Sequence, residues 1–318
     1  MKRRTLRWVA TSAIVAAAIA AAPSAALAAG PYTMPTDQSV YIIDQAGRGV
    51  FETKSDGAST KLDVQVGFTD IQTGAYNPVD KKIYIVDNVT FRLGSIDLTG
   101  GSFTDIGEVT YGSHSLENAY GLVVKTDGSG RFLGYDNDES KWGVWDLDLT
   151  TGVLTNPVWL NGATFDDPYG YAIDPVTGKE YFDTDDDTIV EFNPVSGLVS
   201  AAVGTLASNP DGYPLWDGKF DTNGVLWVML ADCCAGEYSG ELYSWKAGDA
   251  NLTLQGVANT GSIEPSGPVV VGLSTAAIKG TLPDTGASVM LFGALSVSGV
   301  ALVGLGFAGV IVARRRKA

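Results

Sequence analysis

Acids dominate the side chains that could do chemistry in this chain. Asp136, Asn137 and Asp138 form one run, and Asp185, Asp186 and Asp187 form another. Clustered oxygens of this kind suit calcium, a hard cation that takes six to eight of them from carboxylates and carbonyls. Neither run has the glycine at position six and the glutamate at position twelve of an EF-hand loop. A second set, Asp166, Asp167 and Asp211, accompanies Tyr169 and Tyr213, with Tyr120 in the segment "LENAYG". Tyrosine rings offer stacking surface, and the acids beside them can bond sugar hydroxyls or a cationic partner. Paired carboxylates can also hydrolyse glycosides. Against all three stands the plain use of Asp and Asn as turn formers.

Other chemistry is scarce. The single histidine, His114 in "YGSHSLEN", excludes histidine-rich metal sites and argues against a nucleophilic triad, and there is no G-x-S-x-G and no P-loop. No catalytic residue is assigned, and an enzyme is the less favoured reading. Cys233 and Cys234 are the only cysteines. Neighbouring Cα atoms lie about 3.8 Å apart, closer than disulfide geometry favours, so a bond between them would be strained. Either a vicinal disulfide stiffens the "ADCCAGEY" loop, or the two thiols are free or paired between molecules. The pair lacks the spacer of a redox C-x-x-C site and cannot fill a zinc shell alone.

The charge is distributed by segment. Of 21 lysines and arginines, Lys2, Arg3, Arg4 and Arg7 precede an apolar run at the start, and Arg314, Arg315, Arg316 and Lys317 follow one at the end. Between them 13 basic residues face 36 acidic ones, so nucleic acid is not a partner. Residues 1–28 have a basic start, an Ala-rich apolar stretch and the small-x-small sequence Ala26-Leu27-Ala28, the pattern of a secretory signal peptide cut after Ala28. Residues 287–313 carry no charge and are long enough to cross a bilayer as one helix, with residues 314–318 as a basic cytoplasmic tail and the acidic middle outside the cell.

Residues 30–280 must position the candidate side chains, and they are internally repetitive. "VYIIDQ", "KKIYIVDN", "GRFLGYDN", "KEYFDTDD" and "VLWVMLAD" each run an aromatic or aliphatic strand into an acid, and those acids, Asp44, Asp87, Asp136, Asp185 and Asp232, lie 43, 49, 49 and 47 residues apart. A Gly-containing strand and a tight turn precede each later copy, and a hairpin follows it. Each unit therefore reads as four strands in about 47 residues, the size of a propeller blade. The first unit lacks an opening strand, and "SGPVVVGLS" from Ser266 is left over at the end to supply it. The expectation is an all-β propeller of five blades, with six the alternative if the stretch after Asn251 hides further strands and a β-sandwich the architectural rival. The loops entering the innermost strands and those joining strands two and three share one face, which should be an acidic, tyrosine-studded plate.

These repeats resemble the NHL and YVTN class of extracellular propellers over roughly residues 38–275; the resemblance implies an architecture and brings no active site. A second resemblance is more specific. Leu282-Pro283-Asp284-Thr285-Gly286, an apolar span and a short basic tail, in that order behind a signal peptide, resemble the LPxTG cell-wall sorting signal of Gram-positive surface proteins. It implies that a sortase attacks the Thr285 carbonyl with a cysteine thiolate, releases Gly286 onward and transfers the acyl group to a peptidoglycan amine. Pro283 keeps the segment 281–286 extended. The expected product is a secreted, wall-anchored surface protein, in the membrane only before sorting, whose propeller is a binding or adhesion module for a glycan, protein or cation; the alternative is a wall-displayed, carboxylate-dependent hydrolase or lyase.

Overall fold

The computed structural model describes residues 32–280 apart from 48, 56, 65, 163–164, 210–211, 231–239 and 259–266. The signal segment, the sorting motif Leu282–Gly286, the apolar span, Asp211, Cys233 and Cys234 lie outside the described residues.

Among the described residues, twenty strands form five four-stranded antiparallel sheets. Blade one consists of β1 (Gln38–Ile43), β2 (Val50–Thr53) and β3 (Ser59–Lys61), and blade two of β4 (Ile71–Asn77), β5 (Lys82–Asp87), β6 (Arg92–Asp97) and β7 (Ser102–Glu108). Blade three holds β8 (Leu116–Val124), β9 (Gly130–Asp136), β10 (Lys141–Leu147) and β11 (Leu154–Trp159), and blade four β12 (Pro168–Ile173), β13 (Glu180–Thr184), β14 (Thr188–Phe192) and β15 (Val199–Thr205). Blade five holds β16 (Leu215–Phe220), β17 (Val225–Leu230), β18 (Glu241–Lys246) and β19 (Thr253–Val257). The last strand, β20 (Val269–Leu273), pairs with β1 in the register Val40↔Val271 and supplies the innermost strand of blade one. The leftover C-terminal strand thus closes a ring of five, as the missing opening strand required, and the sandwich and six-blade alternatives fall.

One blade alone leaves a sheet face and two edges bare, so the blades must stack. Five apolar layers do this, one for each pair of neighbours around the ring. Between blades three and four, for example, Leu133 and Val144 meet Tyr171, Phe182 and Phe192. Trp145, Trp227 and Trp245 are fully buried in three of the other layers.

Much of the acidity is turn chemistry. Asp97 accepts the Thr99 and Gly100 amides, Asp127 that of Ser129, Asp148 that of Thr150 and Asp174 that of Val176, at 2.8–3.0 Å. An Asx side chain that bonds the backbone two residues on stabilises such turns. These bonds hold Asp97, Asp127 and Asp148 below the ordinary carboxylate pKa, the neighbouring hydroxyls Thr99, Ser129 and Thr150 having the largest effect.

The recurrent acid at the end of the second strand is a clamp. Asp87 accepts the Thr69 and Asp70 amides of the incoming loop with Oδ2, and the amide and hydroxyl of Thr90 with Oδ1. In blade four the acid that holds the incoming loop stands one residue past the end of the second strand, where Asp185 accepts the Asp167 amide at 3.3 Å. The expected shared face therefore exists: incoming loops and strand-two ends are bonded to one another on it.

Candidate functional site: an aromatic mouth over buried acids

Five innermost strands converge on the axis, and each carries a glycine, Gly74, Gly121, Gly170, Gly218 and Gly272. Two show why. A Cβ on Gly121 would meet the Tyr171 Cβ at 2.5 Å, and one on Gly170 would meet Asp183 Oδ1 at 2.1 Å. In blades two to five the pairing between the innermost and second strands is also broken by a register shift at this level. Such bulges re-aim side chains. Asp217 sits in one of them with φ +41°.

The side chains so aimed come from three neighbouring blades. Tyr169 and Trp216 stack with centroids 5.4 Å apart and planes 15° from parallel, and Tyr120 meets Tyr169 edge-on at 5.3 Å. Tyr120 also stacks on Trp142 at 5.5 Å, which meets Tyr135 edge-on. Trp216 Nε1 donates to the Gln72 carbonyl at 3.1 Å, from blade five to blade two across the axis. A ring of only five blades is narrow enough for that bond, and Trp216 is buried at 1% exposure.

Of the acids expected on this face, Asp166 and Asp186 are exposed, while Asp167 and Asp185 are partly buried. Burial pushes Asp167 up from the ordinary carboxylate pKa, and Asp185 and Asp166 add to it. Asp185 is raised by burial too, with help from Asp186 and Asp166 against the Asp167 amide. Burial is also the first cause for the two tyrosines: Tyr169 rises further beside Asp167 and Asp185, and Tyr120 reaches about 12 beside Tyr169, Asp167, Asp70 and Glu117. Every charged neighbour that shifts these four groups is an acid. Tyr213 packs against the apolar layer between blades four and five.

One residue further along β16 lies a buried acid site that sequence reasoning missed. Asp217 Oδ2 accepts Thr73 Oγ1 at 2.8 Å and the Gly74 amide at 3.1 Å, again across the axis, and Oδ1 pairs with Lys219. Asp183 accepts the Gly218 amide at 3.4 Å, and its Oδ2 is buried with no protein partner. Burial raises Asp217 to about 7 and Asp183 to about 6, in both cases against the opposing pull of Lys219. Beyond Lys219 a cavity of about 70 Å³ lies on the axis, lined by residues of all five innermost strands, among them Ala75, Val123, Ile173, Phe220 and Val271.

The two proposed calcium runs do not behave alike. Asp185 is engaged with the incoming loop, Asp187 accepts Asn209 Nδ2 at 2.8 Å, and Asp186 points to solvent as an exposed residue. In the other run Asn137 is exposed and its amide donates to the Ser115 carbonyl, while Asp136 and Asp138 come together with His114. The lone histidine bonds the fully buried Asp136 through Nδ1 at 2.8 Å.

No family model matches this sequence, and no curated protein matches it. Solved structures do. A chain of the nidogen/laminin complex aligns with a TM-score of 0.50 at 14% identity, over 74% of this chain and 99% of that one. A gluconolactonase from Xanthomonas campestris aligns at 0.45 and 16% identity over 70% of each chain. A structural-genomics protein of unknown function from Bacteroides thetaiotaomicron aligns at 0.41 and 18% identity, over 60% of this chain and 53% of that one. The first likeness is one of fold, and with the sheet order it makes this chain a five-bladed β-propeller.

Proposed function

We propose that this is a secreted, sortase-anchored surface protein of a Gram-positive wall, whose propeller presents the aromatic mouth to an extracellular ligand with a positively charged organic group. The observation that carries the ligand reading is the electrostatics of the mouth. Stacked rings are surrounded by acids that raise one another's pKa, with no cation among the groups that shift them. A neutral sugar would stack on the rings and leave that repulsion in place. An ammonium or guanidinium would relieve it and gain cation–π attraction as well.

The course of the chain supports the anchoring half. β20 enters the ring on the acidic face and ends at Leu273 on the other, where Ser274 caps a short helix, Thr275–Ile278, and Glu52 holds the Thr275 amide at 3.0 Å. Leu282 follows within ten residues. Attachment through Thr285 would therefore leave the mouth facing away from peptidoglycan.

An alternative reading, carboxylate-dependent hydrolysis or elimination, draws on Asp183 and Asp217, two acids held partly protonated near neutral pH. They are 2% and 0% exposed, so substrate would reach them only if the residues packed over them moved. Binding needs no such step.

Titration calorimetry of the purified full chain tests the binding reading, with a lysine-rich peptide, tetramethylammonium and a neutral oligosaccharide as separate probes. Binding of a cationic probe that weakens with salt and is lost in Tyr169→Ala supports it; binding of the oligosaccharide alone overturns it. Mass spectrometry of wall-released protein tests the anchoring: the last residue should be Thr285, and a retained Arg314 tail would refute it.

A further inference from the structure

Blade three departs from its neighbours at the clamp acid. In blade two Asp87 Oδ2 is filled by the backbone amides of Thr69 and Asp70. Asn88 and Asn137 donate their amides to Asp70 and Ser115 in the same way, so Thr69 corresponds to His114 and Asp70 to Ser115. In blade three the Ser115 amide turns instead to Asp138 Oδ2 at 2.7 Å, and the imidazole of His114 takes Asp136 Oδ2. The position of Asp138 is Val89 in blade two and Ala46 in blade one, while the matching turn of blade four carries Asp186 and Asp187, the latter bonded to Asn209. The scaffold requires neither His114 nor Asp138, yet the fold sets both beside the buried acid.

We propose that His114, Asp136 and Asp138 form a binding site for a divalent transition metal ion of the zinc class. One ring nitrogen and one oxygen from each carboxylate lie within 4.8 Å of one another. Two ligand atoms each about 2.0–2.1 Å from a tetrahedral zinc ion stand about 3.3 Å apart, so small side-chain shifts suffice. His114 Nδ1 and Asp136 Oδ2 already stand 2.8 Å apart, close to the separation of two ligand atoms on one ion.

The site is built before any ion arrives. Asp136 is 0% exposed, and its Oδ1 is fixed by the Asp138 and Glu139 amides at 2.9 and 3.1 Å. A turn closed by the His114 amide on the Tyr111 carbonyl sets the histidine, and the Tyr111 ring packs against the imidazole at 4.7 Å and against the core Trp145. His114 also lines a groove of about 360 Å³ with Glu108, Thr110, Ser113 and Ser115. The nitrogen decides the metal class: two carboxylates alone would suit calcium, whereas an imidazole in the set favours zinc, cobalt or nickel.

The test is calorimetry with zinc chloride alone and calcium chloride alone, on the tag-free full chain carrying Cys233→Ser and Cys234→Ser so that the thiols do not compete. One zinc ion should bind per chain, and cobalt should give the visible bands of low-coordinate nitrogen and oxygen ligation. Losing even an outer partner of a metal ligand costs about 10–100-fold in affinity, so His114→Ala and Asp138→Asn should each weaken zinc at least about tenfold. Asp138 is exposed and, among the described residues, its side chain accepts only the Ser115 amide, so Asp138→Asn should keep the wild-type melting temperature in the absence of metal. Zinc binding unchanged in His114→Ala, no zinc binding by the folded chain, or calcium bound more tightly than zinc would each overturn the proposal.

Discussion

Replacing Asp217 by Asn removes one negative charge from the ring axis and keeps the side chain's shape. In the wild-type chain burial raises this carboxyl from 3.8 to about 7, in spite of Lys219. Between those values the unfolded chain has released a proton that the folded chain retains, so the stability gained by holding it is complete below about pH 4 and is lost as pH rises to about 7. Three pH units at about 1.4 kcal/mol each give about 4 kcal/mol, or roughly 8–16 °C in melting temperature for a ring of this size. Asp183, raised to about 6, acts in the same direction. The turn acids Asp97, Asp127 and Asp148 have lowered pKa values, so their contribution is lost only as pH falls below about 4, outside this window. Asp217→Asn loses the slope at its own site and leaves Lys219 to Asp183 alone. At pH 5 the variant should be less stable by about 1 kcal/mol, because an amide serves the Thr73 and Gly74 donors but opposes Lys219. At pH 8 it should equal or exceed the wild type. Urea titrations followed by tryptophan fluorescence from pH 5 to 8 should therefore give profiles that cross. Parallel profiles, or a wild type that grows more stable over this range, would refute the reasoning.

Three further substitutions probe the ring. Gly170→Ala places a methyl 2.1 Å from Asp183 Oδ1; overpacking there should lower the denaturation free energy by about 1–3 kcal/mol, read from the urea midpoint. Val270→Asp puts a charge into the closing strand, against Tyr41, Ile71 and Ile85, and should cost more than about 4 kcal/mol, seen as loss of strand signal in circular dichroism at 37 °C. Glu180→Gln leaves the buried Arg131 with only the half-exposed Asp146 at 3.7 Å as a charged partner, and should cost up to about 3 kcal/mol in the same urea assay.

The ring was legible in the sequence because its parts are local. Strand-into-Asp units at 43 to 49 residues, Asx turns between them and a spare final strand are each readable within about ten residues, and together they admit one closure. The mouth was half legible: Tyr120, Asp167 and Tyr169 stand in the loops and strands that form it. The rest depends on what five innermost strands do when they meet. Trp216 and Asp217 bond blade two across the axis only because the ring is narrow and a bulge turns them inward, and strand periodicity carries no sign of either. A trace did exist: "LWDGKF" is the one innermost strand with both an acid and a lysine. His114 and Asp136 lie 22 residues apart, and their pairing shows only when Thr69 and His114 are set side by side as equivalent positions.

Equivalence between blades also separates the two uses of acid in this chain. An Asp that recurs in every repeat serves a need that every repeat has, and the turn and clamp bonds name that need: an unpaired backbone amide. Bonds to turn amides and hydroxyls pull Asp97, Asp127 and Asp148 below the ordinary pKa, since they favour the charged form. Acids that lack such donors and face one another are pushed the other way, as Asp167 is by burial, Asp185 and Asp166. Holding that second group together costs stability, and the fold gains no turn or strand in return. Cost without scaffold benefit is what a site kept for a ligand would show; among these acids it falls on Asp167 and Asp185 at the mouth, whereas Asp217 on the axis also ties blade five to blade two through Thr73 and Gly74.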